Sequence, residues 1–192
     1  MVLFRKKYEE KTDEELMLLL VKGEQPAFDE LYKRYSKALL NFFFRMMNCD
    51  REKAEDFLHD LFLKIIENPE SFDHSRRFNT WFYSLATNMV KNEYRSMQVR
   101  NEHEQITRIQ ENETTDYLNE KIDKQLFASR LQMEIDKFDS ETKTLFNLRF
   151  VEELKIKEIA EILDCTTGTI KSRLYYLSKN LSKNLSIFNI NE

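Results

Sequence analysis

Turn chemistry is almost missing from this chain. Its 192 residues include two glycines, Gly23 and Gly168, and two prolines, Pro26 and Pro69. A sheet protein reverses direction at the end of nearly every strand, and those reversals draw on residues that tolerate positive φ or fix φ in advance. Their scarcity, with 33% charged residues, favours long helices, so an all-α fold is expected. Cysteine is equally sparse. Cys49 and Cys165 belong to no CxxC pair and cannot form a disulfide framework, so both read as small buried residues in a reducing compartment. No apolar run approaches the ~20 residues of a membrane span. The opening "MVLFRKKYEE" meets charge after four residues, too soon for a secretory signal. A cytoplasmic protein without membrane insertion is expected. The glycine pattern of a phosphate-binding loop is missing too, and no cofactor is expected. Nor is there a basic excess: the net charge is −4, which by itself argues against a nucleic-acid partner, although a whole-chain sum can conceal segregated charge.

What is present is helical period. Thr12 and Glu15 form a capping box ahead of "LMLLLV", and Gly23 supplies a left-handed stop, which predicts a helix over 13–22. Pro26 suits a first helical turn, and Phe28, Leu31, Tyr32, Tyr35, Leu39, Phe42, Phe43 and Met46 then recur at spacings of three and four over 26–48. Asp50 caps a third helix that Asn68-Pro69 ends. A fourth is predicted from about Thr80 to Met97. Residues 101–124 change character, with seven Asp or Glu against three Arg or Lys and few large apolar residues; so little to bury predicts a flexible acidic linker. The chain thus divides into a helical domain at 1–100, the linker at 101–124 and a second helical domain at 125–192. Period returns over Leu126–Phe138, over Glu141–Phe150 behind a Ser140 cap, and in "EIAEILDCTTGTIKSRL" at 158–174.

That last stretch places Ile156, Ile159, Ala160 and Leu163 on one short helix and Ile170, Leu174 and Leu177 on the next. So brief a connection is that of a helix-turn-helix. Asp164 stands where such a turn takes a left-handed residue, at a cost of about 1 kcal/mol. Thr166 is placed to cap the second helix by accepting from the Thr169 N–H. Thr167, Gly168, Lys171, Ser172 and Tyr175 then face away from the core, a set suited to a DNA major groove: hydroxyls for phosphate, a lysine for a guanine edge, a missing side chain for close approach. Arg173 suits a phosphate. After Asp164 no carboxylate appears until Glu192, while Lys171, Arg173, Lys179 and Lys183 fall between. A helical hairpin with a solvated basic face is the alternative.

The fourth helix repeats the pattern. Between Asp73 and Arg100 the only carboxylate is Glu93, against Arg76, Arg77, Lys91 and Arg95, with Phe78, Trp81, Phe82, Tyr83 and Tyr94 interleaved. Cations for phosphates and rings for unstacked bases suit single-stranded nucleic acid. The rings are equally candidates for the core, Trp81 and Phe82 above all.

Together these stretches resemble the bacterial sigma-70 family of RNA polymerase sigma factors, and within it the small two-domain extracytoplasmic-function (ECF) group. "AEDFLHDLFLKIIENPESF" at 54–72 resembles the polymerase-binding helix of the second conserved region. "RFNTWFYSLATNMVKNEYR" at 77–95 resembles the segment that melts and reads the downstream promoter box. "LKIKEIAEILDCTTGTIKSRL" at 154–174 resembles the helix-turn-helix of the fourth conserved region, which reads the upstream box. The resemblance implies that Asp56, His59, Asp60, Phe62 and Lys64 dock on core RNA polymerase. It implies that Asn88, Lys91 and Asn92 stand near a flipped base, with Arg76, Arg77, Trp81 and Arg95 contacting the same DNA. It implies that Thr167, Gly168, Thr169, Lys171, Ser172, Arg173, Tyr175, Tyr176 and Lys179 face the upstream box. Tyr176 and Ser178 stand where members often carry arginine, which implies a weaker or differently specific upstream contact. Core RNA polymerase and promoter DNA are the expected partners, with an anti-sigma factor as a further one, and no enzymatic activity is implied.

Two other classes compete. Glu55, Asp56 and His59 lie at spacings that can bring carboxylate and imidazole to one metal in a helical bundle, but a second Glu-x-x-His is missing. A helix-turn-helix repressor acting without polymerase accounts for the C-terminal motif and leaves the basic aromatic helix unexplained.

Overall fold

The computed structural model describes residues 7–103 and 121–185, and these are helical throughout with short connections. In chain order the helices are α1 (Asp13–Val21), α2 (Gln25–Met46), α3 (Arg51–Glu67), α4 (Phe78–His103), α5 (Lys121–Asp136), α6 (Ser140–Phe146), α7 (Ile156–Ile162) and α8 (Thr167–Asn184). The acidic stretch expected as a linker lies mostly outside the described residues, since α4 continues to His103 and α5 begins at Lys121.

Local chemistry accounts for most helix ends. Thr12 and Glu15 form the capping box of α1, and Gly23 follows at φ 81°. The Asp50 side chain accepts from the Lys53 N–H at the start of α3. The Ser140 cap is corrected: Asp139 caps α6, accepting from the Thr142 N–H at 2.7 Å. The helix expected through Phe150 ends at Phe146 and passes into a π-turn at Asn147–Val151. There the buried Asn147 side chain turns inward, its Nδ2 donating to the Lys143 carbonyl at 3.0 Å and meeting Met46 Sδ at 3.6 Å. Helix α4 also starts earlier than its apolar period suggested. Glu14 of α1 accepts from the Phe78 N–H at 2.9 Å, so the cap comes from another helix. Cys49 is a further correction, being exposed in a left-handed turn (φ 63°) beside Asn48 (φ 53°); Cys165 is half-buried.

Helices α1 to α4 enclose an aromatic core. Phe42, Phe43, Phe78 and Phe82 are fully buried among Leu16, Met17, Leu31, Leu39, Met46, Leu61 and Ile65. Burying one such side chain contributes roughly 1.5–3 kcal/mol, and edge-to-face pairs such as Tyr35–Phe82 and Phe62–Phe82 add to this. The C-terminal helices do not stand apart. Leu145, Leu148, Leu154, Ile159, Ile162 and Ile170 continue the same apolar cluster, with α7 packed against α4.

Candidate nucleic-acid interface

Helix α8 has one buried and one exposed face. Thr166 accepts from the Thr169 N–H at 3.1 Å, and Asp164 takes the left-handed turn at φ 49°. Ile170, Leu174 and Leu177 are buried, which turns Thr167, Gly168, Lys171, Ser172, Arg173, Tyr175, Tyr176 and Lys179 outward. Thr169 is half-buried, its hydroxyl 3.0 Å from that of Thr166. Tyr175 and Tyr176 are 62% and 65% exposed, so neither ring serves the core. A Cβ on Gly168 would meet only the Thr166 hydroxyl, at 3.6 Å, and its φ is not positive. Neither packing nor backbone geometry requires glycine there, and what the missing side chain leaves open is the outer face.

Helix α4 is divided in the same way. Ala86, Thr87 and Val90 are buried, while Asn88, Lys91, Asn92 and Arg95 are exposed. Glu93, the one carboxylate of the basic stretch, is engaged by Lys53 at 2.6 Å and Arg100 at 3.3 Å. Arg76 and Arg77 lie exposed in the loop ahead of α4, Arg77 against Glu158 of α7 at 3.3 Å. Trp81, read both as a core ring and as a DNA contact, takes the core position. It is 7% exposed and stacks among Phe72, Phe78 and Phe82, so its ring belongs to the core. Arg76, Asn88 and Lys91 line a cleft of about 620 Å³ whose opposite wall includes Glu141, Glu161, Asp164 and Arg173.

On α3, Asp56, His59, Asp60 and Lys64 are exposed along one face. Phe62 is corrected: it is 3% exposed and packs inward on Phe28, Tyr32 and Phe82, because it follows the core period of Leu58, Leu61 and Ile65. Two residues not singled out in the sequence share the exposed side, Leu63 at 39% and Ile66 at 46% exposure. Their signal was present, as apolar residues off the inward period. Glu55 pairs with Arg51 at 2.8 Å, and among the described residues no group of three His, Cys, Asp or Glu is placed to hold a metal ion. Nor is any helix among them long and apolar enough to cross a membrane.

The comparisons with known proteins agree with this geometry. Residues 31–100 match the family described as Sigma-70 region 2, and residues 128–176 match Sigma-70, region 4. The ECF RNA polymerase sigma factor SigW of Bacillus subtilis is 30% identical over 187 residues, covering 85% of this chain and 91% of that protein. The ECF RNA polymerase sigma-E factor of Haemophilus influenzae is 29% identical, covering 87% and 92%. Among solved structures, CnrH in complex with the cytosolic domain of CnrY superposes with a TM-score of 0.68 at 20% identity, covering 92% of this chain and 99% of that one. RpoE in complex with the anti-sigma factor NepR from Bartonella quintana gives 0.63 at 17% identity, covering 86% and 98%. The chain belongs to the sigma-70 family. Within that family it is a sigma factor of the ECF group.

Proposed function

We propose that this chain binds core RNA polymerase in the cytoplasm and directs promoter recognition, strand opening and initiation, contributing binding rather than bond chemistry of its own. The observation that carries this is the pair of outward polar faces, Asn88, Lys91, Asn92 and Arg95 on α4 and Lys171, Ser172, Arg173 and Tyr175 on α8, in the order of the two matched regions. Extruding a base costs a few kcal/mol, which amide hydrogen bonds to its edge offset. Asn88 and Asn92, one turn apart, supply such amides beside the phosphate-binding cations Lys91, Arg95, Arg76 and Arg77. The exposed face of α8 enters the upstream duplex, with Thr167, Gly168 and Thr169 of its first turn and Tyr176 two turns on at the groove, and Arg173 and Lys179 on phosphate. Asp56, His59, Asp60 and Lys64 dock on polymerase, with Leu63 and Ile66 adding apolar area to the same face. Residues 1–100 form the polymerase-binding and strand-reading domain, 101–124 the acidic linker and 125–192 the duplex-reading domain. The solved structure of similar fold bound to the anti-sigma factor NepR supports an anti-sigma protein as a further partner.

The test is transcription in vitro with purified bacterial core polymerase and a genomic promoter library. The expected result is start sites dependent on this chain and sharing two upstream sequence boxes. Absence of transcripts, with tight specific binding to duplex by the chain alone, would favour the repressor instead.

A further inference from the structure

The buried stripe of α4 ends before its outward polar face does. Phe78, Phe82, Ala86 and Val90 are buried, and Val90 is the last buried residue of the helix among those described. Lys91, Asn92 and Arg95 stand beyond it, exposed. Apolar packing therefore fixes the first half of α4 and leaves the half that carries these three residues to polar contacts. Two such contacts reach other helices. The Tyr94 hydroxyl donates to the Met46 carbonyl at the end of α2, at 2.8 Å. Lys53 Nζ, in the first turn of α3, donates to Glu93 Oε1 at 2.6 Å.

The Lys53–Glu93 side chains are 28% and 16% exposed. The bond is thus partly shielded from water and salt, unlike the open Arg51–Glu55 pair of the same helix. Arg100 adds a second donor to the same Glu93 oxygen at 3.3 Å and is itself held by Ser96 Oγ at 3.0 Å. At about 100° per residue, Glu93 lies roughly 140–160° round the helix from Asn88, Lys91 and Arg95. It grips α4 from behind and has no place in the outward face. A rotation of about 10° carries a side-chain tip about 5–6 Å from the helix axis through about 1 Å, enough to spoil a hydrogen bond to a base edge. The other end of the bond is on α3, whose exposed face carries Asp56, His59, Asp60 and Lys64.

We propose that Glu93 is a positioning residue for strand reading: bound to Lys53, it fixes the rotation of α4 against α3, so that docking of α3 on polymerase delivers Lys91, Asn92 and Arg95 to the displaced strand in one register. Glu93 touches no base and acts through the helix it holds. The proposal rests on the assignment of α4 to the displaced strand and of α3 to polymerase.

The experiment measures the rate of strand opening by saturating holoenzyme on a duplex promoter recovered in the transcription experiment, with a fluorescent base analogue in the downstream box. Glu93→Gln, Lys53→Met, their double variant and Lys53→Arg are compared with wild type and with Asn88→Ala. Affinity for the same duplex, cooled to prevent opening, is measured alongside. Glu93→Gln and Lys53→Met are each expected to slow opening by about tenfold and the double variant no further, while Lys53→Arg opens at the wild-type rate and duplex affinity is unchanged in all four. Charge alone acts differently: losing a carboxylate beside a DNA-binding helix favours the DNA complex and losing a lysine disfavours it, so effects of opposite sign would overturn the proposal. Equal losses of opening and of duplex affinity, with a lowered unfolding temperature, would reduce the pair to a fold contact and also overturn it. Slow opening by Asn88→Ala, with wild-type rates for Glu93→Gln and Lys53→Met, would overturn the positioning role and leave strand reading by α4 standing. Opening by Asn88→Ala at the wild-type rate would overturn the strand-reading assignment and the positioning role with it.

Discussion

Arg45 and Glu152 stand 107 positions apart in the chain and meet at 2.8 Å. Burial pulls the Arg45 guanidinium down from its ordinary value, and Glu152 partly restores it. Burial, then donation to Glu152, pushes the Tyr83 hydroxyl well up, so it remains a donor throughout the accessible pH range. Such a shared acceptor should show coupling between its donors. In a double-mutant cycle of Arg45→Ala with Tyr83→Phe, followed by denaturant unfolding, a coupling of about 1–2 kcal/mol is expected. Strict additivity would mean that the two donors act independently.

Gly168 separates stability from recognition. Gly168→Ala removes a glycine from the first turn of α8 where a Cβ has room, so it should stabilise the fold by up to about 0.5–1 kcal/mol. The same methyl sits on the outer face and should weaken holoenzyme binding to duplex promoter. Thermal unfolding and promoter binding, measured on one preparation, should move in opposite directions.

Glu14 couples α1 to the start of α4. Burial pushes its carboxyl up. The Phe78 N–H, its own N–H, the Thr12 hydroxyl and Arg77 more than offset this, and the net shift is downward. A carboxyl lowered on folding contributes stability that is present above its unfolded value and lost as pH falls through the folded one. Glu14→Ala should therefore cost about 1 kcal/mol at neutral pH, and the difference from wild type should shrink below the ordinary carboxylate range. Urea unfolding at pH 7 and at pH 3 measures both.

Charge reversal of Asp56 and Asp60 to lysine tests the polymerase face. Both carboxylates are exposed on α3, so their own effect on folding should be within about 0.5 kcal/mol each. Co-purification with core polymerase should be lost while the circular dichroism spectrum is retained.

Helices and their ends were legible where the signal is local. Thr12, Gly23, Asp50, Asp164 and Thr166 act through neighbours within a few residues, and each does in the structure what its position suggested. Phe62 and Trp81 were harder to place, because an aromatic ring on a helix suits a core and a ligand equally until the packing partner is known. The start of α4 depends on Glu14, which lies 64 residues away. Closure of the two halves was beyond local pattern altogether: it is made by Arg45, Tyr83, Asn147 and Glu152, brought together by tertiary contact alone.

The most direct measurement is promoter binding by holoenzyme carrying Asn88→Ala or Lys171→Ala, on a fully duplex promoter and on one already melted at the downstream box and lacking the base there. Asn88→Ala should remove about 1–3 kcal/mol of discrimination at one downstream position on duplex and have no effect on the melted template. Lys171→Ala should weaken the upstream contact on both templates alike. If Asn88→Ala loses as much binding on the melted template as on the duplex, α4 is not the strand-reading helix and the division of work between α4 and α8 is wrong.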